Sequence, residues 1–149
     1  MESNIQSRQA DKLIFLGLLL FLAGLVVGLF AQNMANPRMA LSGHLEGIMN
    51  GLFLVVLGLI WKRLILPRAL LQAAFWLVTY GTFANLIAVM IAAVTGFGKM
   101  MPIAGGKEGS EAMEGLISFL LISLALCMLA VCIIVLIGFY KRMKQPASE

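Results

Sequence analysis

The chain has 149 residues, of which 61% are hydrophobic and 12% are charged, and its formal net charge is +4. A soluble domain is about half apolar and about a quarter charged, so this composition excludes an ordinary soluble protein. It equally excludes a disordered chain, a coiled coil and a disulfide-rich scaffold. The basic residues form short blocks between apolar runs, which is typical of membrane topology rather than of nucleic-acid binding. We therefore predict an integral membrane protein with a single domain, residues 1–149.

Four apolar runs are long enough to cross a membrane as helices, which takes about 20 residues each. They cover roughly residues 13–31, 39–61, 69–97 and 115–140. The first run is longer than the apolar part of a signal peptide, and no convincing small-x-small cleavage site follows it. We expect it to remain as a span. The predicted fold class is thus an all-α bundle of four transmembrane helices.

The distribution of Lys and Arg predicts the orientation of these helices. Most of the eleven cations lie before the first span, in the second loop or after the fourth span, at positions Arg8, Lys12, Lys62, Arg63, Arg68, Lys141, Arg142 and Lys144. Only Arg38, Lys99 and Lys107 lie in the first and third loops. Because cytoplasmic loops carry the excess of cations, both termini are expected in the cytoplasm. We predict a multi-pass protein of a bacterial inner membrane.

Two pairs of glycines mark places where helices can approach closely. Gly24 and Gly28 lie four residues apart in the first span, and Gly47 and Gly51 do so in the second. Small residues at this spacing let helix backbones come into contact in a membrane. The contact is either within one subunit or between subunits, and the sequence leaves both interpretations open.

Polar residues inside the spans are the candidates for function, because ionisable groups are costly at membrane depth. His44, the one histidine of the chain, lies at the start of the second span, followed by Glu46 and Asn50. The third span is polar in its middle, with Thr79, Tyr80, Thr82 and Asn85. The second and third spans are therefore the expected walls of any site.

His44 has two interpretations. It is either an interfacial residue hydrogen-bonded to a loop carbonyl or a neutral imidazole that binds a metal. One histidine is too few for a multi-imidazole site, but a porphyrin iron needs only one protein ligand. Met34, Met49 and Met90 are possible second axial ligands. For Glu46, the alternatives are an ion pair with Arg38 and a polar wall shared with Asn50, which lies on the same helix face.

The segment His-Leu-Glu-Gly-Ile-Met-Asn-Gly at residues 44–51 resembles the hydroxylaminobenzene mutases and, more distantly, the styrene-oxide isomerases. The first resemblance implies a membrane mutase that isomerises arylhydroxylamines to ortho-aminophenols. The second implies a haem b between the subunits of a trimer, with histidine as the axial ligand. Its ferric iron is then a Lewis acid toward the substrate oxygen, without net redox change.

Carried over by residue, the resemblance makes His44 the iron ligand and places Asn50 and Asn85 in the substrate pocket. Arg38, with Lys99, is the expected partner of the haem propionates. Glu46 is outside the isomerase motif, which favours the mutase branch. Either Glu46 or a water is expected to take the ring proton.

Two departures from the isomerase pattern stand in the third span. Gly81 replaces an acidic residue and Val89 replaces a pocket tyrosine, so epoxide isomerisation is the less favoured activity. A haem-binding electron carrier or sensor subunit and a haem-free accessory protein are further alternatives. We also expect a homo-oligomer, first of all a trimer.

Overall fold

A computed structural model describes residues 2–145 and contains four long α-helices. They are α1 (Glu2–Phe30), α2 (Pro37–Trp61), α3 (Arg68–Thr95) and α4 (Glu111–Met143), with short 3-10 turns at Ala31–Asn33 and Pro102–Ala104. Each long helix is apolar and long enough to cross a membrane. The all-α class is confirmed, and each of the four predicted spans corresponds to a helix that could cross a membrane.

The polar N-terminal segment is part of α1, which begins well before the predicted span. Gln6 Nε2 donates to the carbonyls of Trp61 (2.7 Å) and Leu64 (3.2 Å), at the end of α2. The Trp61 indole in turn donates to Gln9 Oε1 at 3.2 Å. These bonds use carbonyls at and just beyond the end of α2, so they tie the N-terminal segment to the second loop.

At the opposite end of the molecule, Asn36 joins the first loop to the third. Its side-chain oxygen accepts a hydrogen bond from Met39 N at 3.1 Å and thereby caps α2. Its Nδ2 donates to the Ala104 carbonyl at 3.0 Å, and its backbone N–H donates to Ala93 at 2.9 Å. The first and third loops therefore form one end of the protein.

The second loop also contacts the end of α4, where Ile65 N donates to the Gly138 carbonyl at 3.3 Å. The N-terminal segment, the second loop and the end of α4 thus lie together, as an even number of crossings requires. Which end faces the cytoplasm stays a prediction from the distribution of cations.

Helix α1 packs against α2 through the glycines. A Cβ atom on Gly47 would lie 2.6 Å from Gly24 Cα, and one on Gly51 would lie 2.7 Å from the Gly17 carbonyl oxygen. The two backbones are therefore in direct contact within one chain. This corrects the interpretation in which Gly47 and Gly51 approach another subunit, because their small faces are already covered by α1.

The core includes side chains from all four helices, among them Leu13, Leu54, Val78 and Val131. Helix α3 packs against α2 and α4, and α4 contacts the other helices mainly through α3. Only 6% of the most apolar stretch of α4 is buried. This helix therefore presents a broad apolar face to its surroundings.

Candidate functional site

His44 and Glu46 lie in the first half of α2, toward the end formed by the first and third loops, and Asn50 lies near the middle of the helix. Side chains two positions apart on a helix differ in direction by about 200°, so His44 and Glu46 point to opposite sides of α2. Asn50 is four positions after Glu46, so the two side chains differ in direction by only about 40°. The candidate residues are consequently divided between two sides of α2.

The imidazole of His44 is held by the neighbouring helix. Its Nδ1 lies 2.8 Å from the Gly24 carbonyl oxygen in α1. A carbonyl oxygen only accepts, so Nδ1 is the donor, and in a neutral imidazole Nε2 then keeps the lone pair. The partner is a helix carbonyl rather than the expected loop carbonyl, and the bond leaves the nitrogen that can bind a metal free.

His44 lines an open groove of about 680 Å³ between α1 and α2, called here the His44 groove. Its walls are mainly apolar side chains, including Leu22, Leu25, Val26, Leu29 and Leu41, with Gln32 and Arg38 as polar members. Among the residues described, none of the three candidate methionines belongs to these walls. The His44 groove therefore suits a large, flat, apolar ligand with a polar edge.

Glu46 points away from the groove and binds α3, where Asn85 Nδ2 donates a hydrogen bond to its carboxylate. This bond replaces both expected arrangements, the contact with Asn50 and the ion pair with Arg38. Within residues 2–145, the one ion pair joins Lys99 to Glu108. Asn85 is therefore the polar residue that connects the third span to Glu46.

The Glu46 carboxylate lines a second space of about 520 Å³, called here the Glu46 cavity. Ser42 and Val89 belong to its walls, and Met100, Met101 and Ile103 of the third loop contribute others. Arg38 lines both the Glu46 cavity and the His44 groove. The guanidinium at the start of α2 is thus shared by the two spaces, whereas His44 and Glu46 are not brought together within one chain.

The third loop is organised by Glu114, a residue that sequence reasoning missed. Its carboxylate accepts hydrogen bonds from the backbone N–H groups of Gly98 (3.1 Å), Lys99 (3.0 Å) and Gly109 (3.0 Å). A carboxylate in the first turn of α4, next to a glycine-rich loop that needs acceptors, is the feature that points to this role.

Lys99, expected near the haem propionates, is paired with Glu108 at 2.7 Å on the surface. The hydrogen bond to Glu108 and the charge of its carboxylate raise the pKa of Lys99. Lys99 is not among the walls of the His44 groove, whereas Arg38 is.

Asn50 is half-buried, and its Nδ2 is shielded from solvent without a hydrogen-bond partner. A buried amide donor left unpaired is unfavourable by about 1–3 kcal/mol, so such groups usually have a ligand or water as partner. Asn50 therefore has an unpaired donor on the same side of α2 as Glu46, but it is not among the walls of the His44 groove or the Glu46 cavity.

The remaining polar residues of α3 serve helix structure. Thr79 and Thr82 donate to carbonyls of their own helix, those of Phe75 and Val78, each at 2.8 Å. The Tyr80 and Ser123 hydroxyls are 2.6 Å apart and join α3 to α4. Of the polar residues in the third span, Asn85 is the one that reaches the candidate site.

The family model for styrene oxide isomerase matches residues 9–140, nearly the whole described chain. The chain belongs to the styrene oxide isomerase family. Two curated relatives are hydroxylaminobenzene mutases of Ectopseudomonas oleovorans. HabB is 52% identical over 87% of this chain and 80% of its own length. HabA is 48% identical over 84% of this chain and 94% of its own length. No solved structure matches the chain significantly.

The structure shows what surrounds Gly81 and Val89, the two positions that depart from the isomerase pattern. A Cβ atom on Gly81 would lie 2.8 Å from Met128 Sδ, so this position faces α4 and an acidic side chain here would require Met128 to move. Val89 is buried and lines the Glu46 cavity. In this chain the carboxylate of the cavity comes from Glu46 on α2.

Proposed function

We propose that the protein is a membrane isomerase that converts arylhydroxylamines, such as hydroxylaminobenzene, to ortho-aminophenols. The observation that carries this proposal is the identity of 52% and 48% with two hydroxylaminobenzene mutases over most of the chain. The apolar walls of both spaces suit an aryl substrate that enters from the bilayer.

The His44 groove suits a haem b, the cofactor implied by the resemblance. His44 offers Nε2 as the ligand, and Arg38 offers a cation for the propionates. Bound there, the haem would supply a ferric iron as a Lewis acid for the substrate oxygen. The groove is open rather than enclosed, which favours a haem covered by a second chain.

The residues on the other side of α2 are suited to positioning and proton transfer. The unpaired Nδ2 of Asn50 can donate to the hydroxylamino group, while Asn85 orients the carboxylate of Glu46. In the isomerisation the N–O bond breaks and a C–O bond forms at the ortho carbon. Glu46 accepts the ring proton, the amine nitrogen gains a proton, and substrate and product have the same composition.

These roles require that residues from both sides of α2 act on the same substrate molecule. In a cyclic trimer each chain presents two different faces to its two neighbours. We infer a homotrimer in which the His44 groove of one chain faces the Glu46 cavity of the next. The haem then lies between subunits, and the active site is complete only in the oligomer.

The positive-inside distribution supports cytoplasmic termini and a bacterial inner-membrane location. In this orientation the His44 groove and the Glu46 cavity lie toward the non-cytoplasmic side. Arg38 is then close to the membrane surface, where charged propionates are most easily accommodated.

The test is to give the haem-replete protein in detergent either phenylhydroxylamine or styrene oxide and to identify the products. We expect 2-aminophenol from the first substrate and much slower isomerisation of the second. His44→Ala is the control, since it removes the iron ligand and should abolish both haem binding and turnover. Absence of 2-aminophenol with the haem-replete wild-type protein would refute the mutase assignment, and preference for the epoxide would favour the alternative activity.

A further inference from the structure

The ring of His44 is enclosed on its α1 side by two glycines one turn apart. The Gly24 carbonyl oxygen is 2.8 Å from Nδ1. A Cβ atom on Gly28 would lie 2.6 Å from Nδ1 and 2.9 Å from Cε1. The imidazole therefore occupies the space that a side chain at residue 28 would fill.

This contact determines which ring nitrogen carries the proton. The hydrogen bond to Gly24 requires a proton on Nδ1, and a neutral imidazole has only one N–H. The lone pair is then on Nε2, the nitrogen that metal-binding histidines commonly present when Nδ1 is bonded to a carbonyl. The ring can approach Gly24 this closely only while residue 28 has no side chain.

We propose that Gly28 and the Gly24 carbonyl are positioning elements that hold His44 in the Nδ1–H form with Nε2 available in the His44 groove. Gly28 thus leaves space for the imidazole, because a Cβ atom at this position would meet the ring of His44. The relevance of this arrangement to haem rests on the proposed function. The arrangement itself is a property of the haem-free protein and is measurable there.

The test uses the fact that the chain has a single histidine. The full chain is produced with ¹⁵N-histidine and without a polyhistidine tag, and the haem-free protein is studied by NMR at a pH where imidazole is neutral. We expect one Nδ1–H tautomer in the wild-type protein. A wild-type Nε2–H tautomer or a freely exchanging mixture would overturn the proposal.

Gly28→Ala is the informative variant, and Gly17→Ala is its matched control. Gly17 is in the same helix and is equally tightly packed, since its Cβ would lie 2.6 Å from the Gly51 carbonyl oxygen, but its contacts are with Gly51 and Val55. We expect Gly28→Ala to displace the ring and populate the Nε2–H form, while Gly17→Ala retains Nδ1–H. Retention of the pure Nδ1–H form in Gly28→Ala, or its loss in both variants, contradicts the proposal.

Haem titration gives a second readout, by the visible spectrum rather than by activity. Changes in the partners of metal-bound histidines typically weaken metal binding about 10–100-fold, and we expect a loss of this size in Gly28→Ala beyond any loss in Gly17→Ala. Equal affinity in the two variants would disprove the link to haem. If Gly28→Ala does not fold, the wild-type tautomer decides the proposal. A wild-type protein that binds no haem but has the Nδ1–H tautomer refutes the proposed cofactor and supports the positioning role.

Discussion

At the scale of single residues, Glu46 illustrates how an acidic group is accommodated in a membrane-spanning helix. An ionisable side chain at this depth is costly unless it has a partner. Asn85 provides that partner from the neighbouring helix, while one side of Glu46 remains open to the cavity. The same carboxylate therefore joins α2 to α3, and its residue also lines the Glu46 cavity.

These two roles can be separated by comparing Glu46→Gln with Glu46→Ala. Glutamine still accepts a hydrogen bond from Asn85 but is a poor proton acceptor. We expect Glu46→Gln to fold and bind haem normally while turnover falls by about 10²–10⁴-fold, the usual contribution of a general base. Glu46→Ala should lose stability as well, because Asn85 is left unpaired. Both effects are measured by 2-aminophenol formation and by thermal unfolding in detergent, and normal turnover in Glu46→Gln would exclude Glu46 as the base.

At the scale of secondary structure elements, α1 and α2 form a hairpin whose stability depends on backbone contact. Close packing replaces the hydrophobic effect as the source of helix association inside a bilayer. The Gly24–Gly47 and Gly17–Gly51 approaches provide this contact along the hairpin. His44 lies against the same helix pair, where the Gly24–Gly47 approach, rather than the Gly17–Gly51 approach further along the helices, determines the position of the His44 groove.

Gly51→Leu should therefore destabilise the hairpin itself. Its side chain would collide with the backbone at Gly17 and Phe21, each 2.7 Å from the new Cβ. We expect a loss of at least the roughly 1–3 kcal/mol typical of overpacking, seen as a lower unfolding temperature. Gly115→Leu is the control, because nothing lies within 4 Å of that Cβ. Equal unfolding temperatures for the two variants would contradict the direct contact of α1 and α2.

The conformation of the third loop depends on hydrogen bonds to Glu114. Glu114→Ala removes the acceptor of three backbone N–H groups, so the loop over the Glu46 cavity should open more often. We expect trypsin to cleave after Lys99 or Lys107 several times faster than in the wild-type protein. Glu108→Ala removes only the exposed ion pair with Lys99, and such pairs contribute little. Cleavage that is as fast in Glu108→Ala as in Glu114→Ala would argue against a special role of Glu114.

At the scale of the whole molecule, α2 separates the candidate residues into two spaces. One chain has His44 on one side and Glu46 on the other, with Arg38 common to both. The proposed trimer unites the His44 groove and the Glu46 cavity across each subunit contact. Activity should consequently depend on both members of a neighbouring pair.

This dependence can be tested with mixed oligomers of two inactive variants. His44→Ala lacks the proposed iron ligand, and Glu46→Gln lacks the proposed base, so each homo-oligomer should have little activity. When the two are coexpressed, some contacts pair an intact His44 groove with an intact Glu46 cavity. We expect activity well above that of either parent, measured on the purified mixed oligomer. No gain in mixed oligomers of verified composition would place His44 and Glu46 of one chain at the same site.

Much of this organisation is determined by the sequence alone. The lengths of the apolar runs determine four helices, and an even number of crossings places the termini at one end. His44, Glu46 and Asn50 stand out because polar residues are rare in the second span. These features could be predicted because run length, charge distribution and residue type are properties of the chain that need no knowledge of packing.

Only the tertiary structure decided which residues meet. Asn85 reaches Glu46 from a position 39 residues further along the chain, and Gly28 faces the ring of His44. Gly47 contacts Gly24 and Gly51 contacts Gly17 within one chain, and Glu114 binds three backbone N–H groups of the third loop. The physical reason is that these helices are apolar on most sides, so hydrophobic periodicity does not indicate which face turns inward. The rotation and crossing of the helices determine these contacts, and close backbone packing determines that rotation.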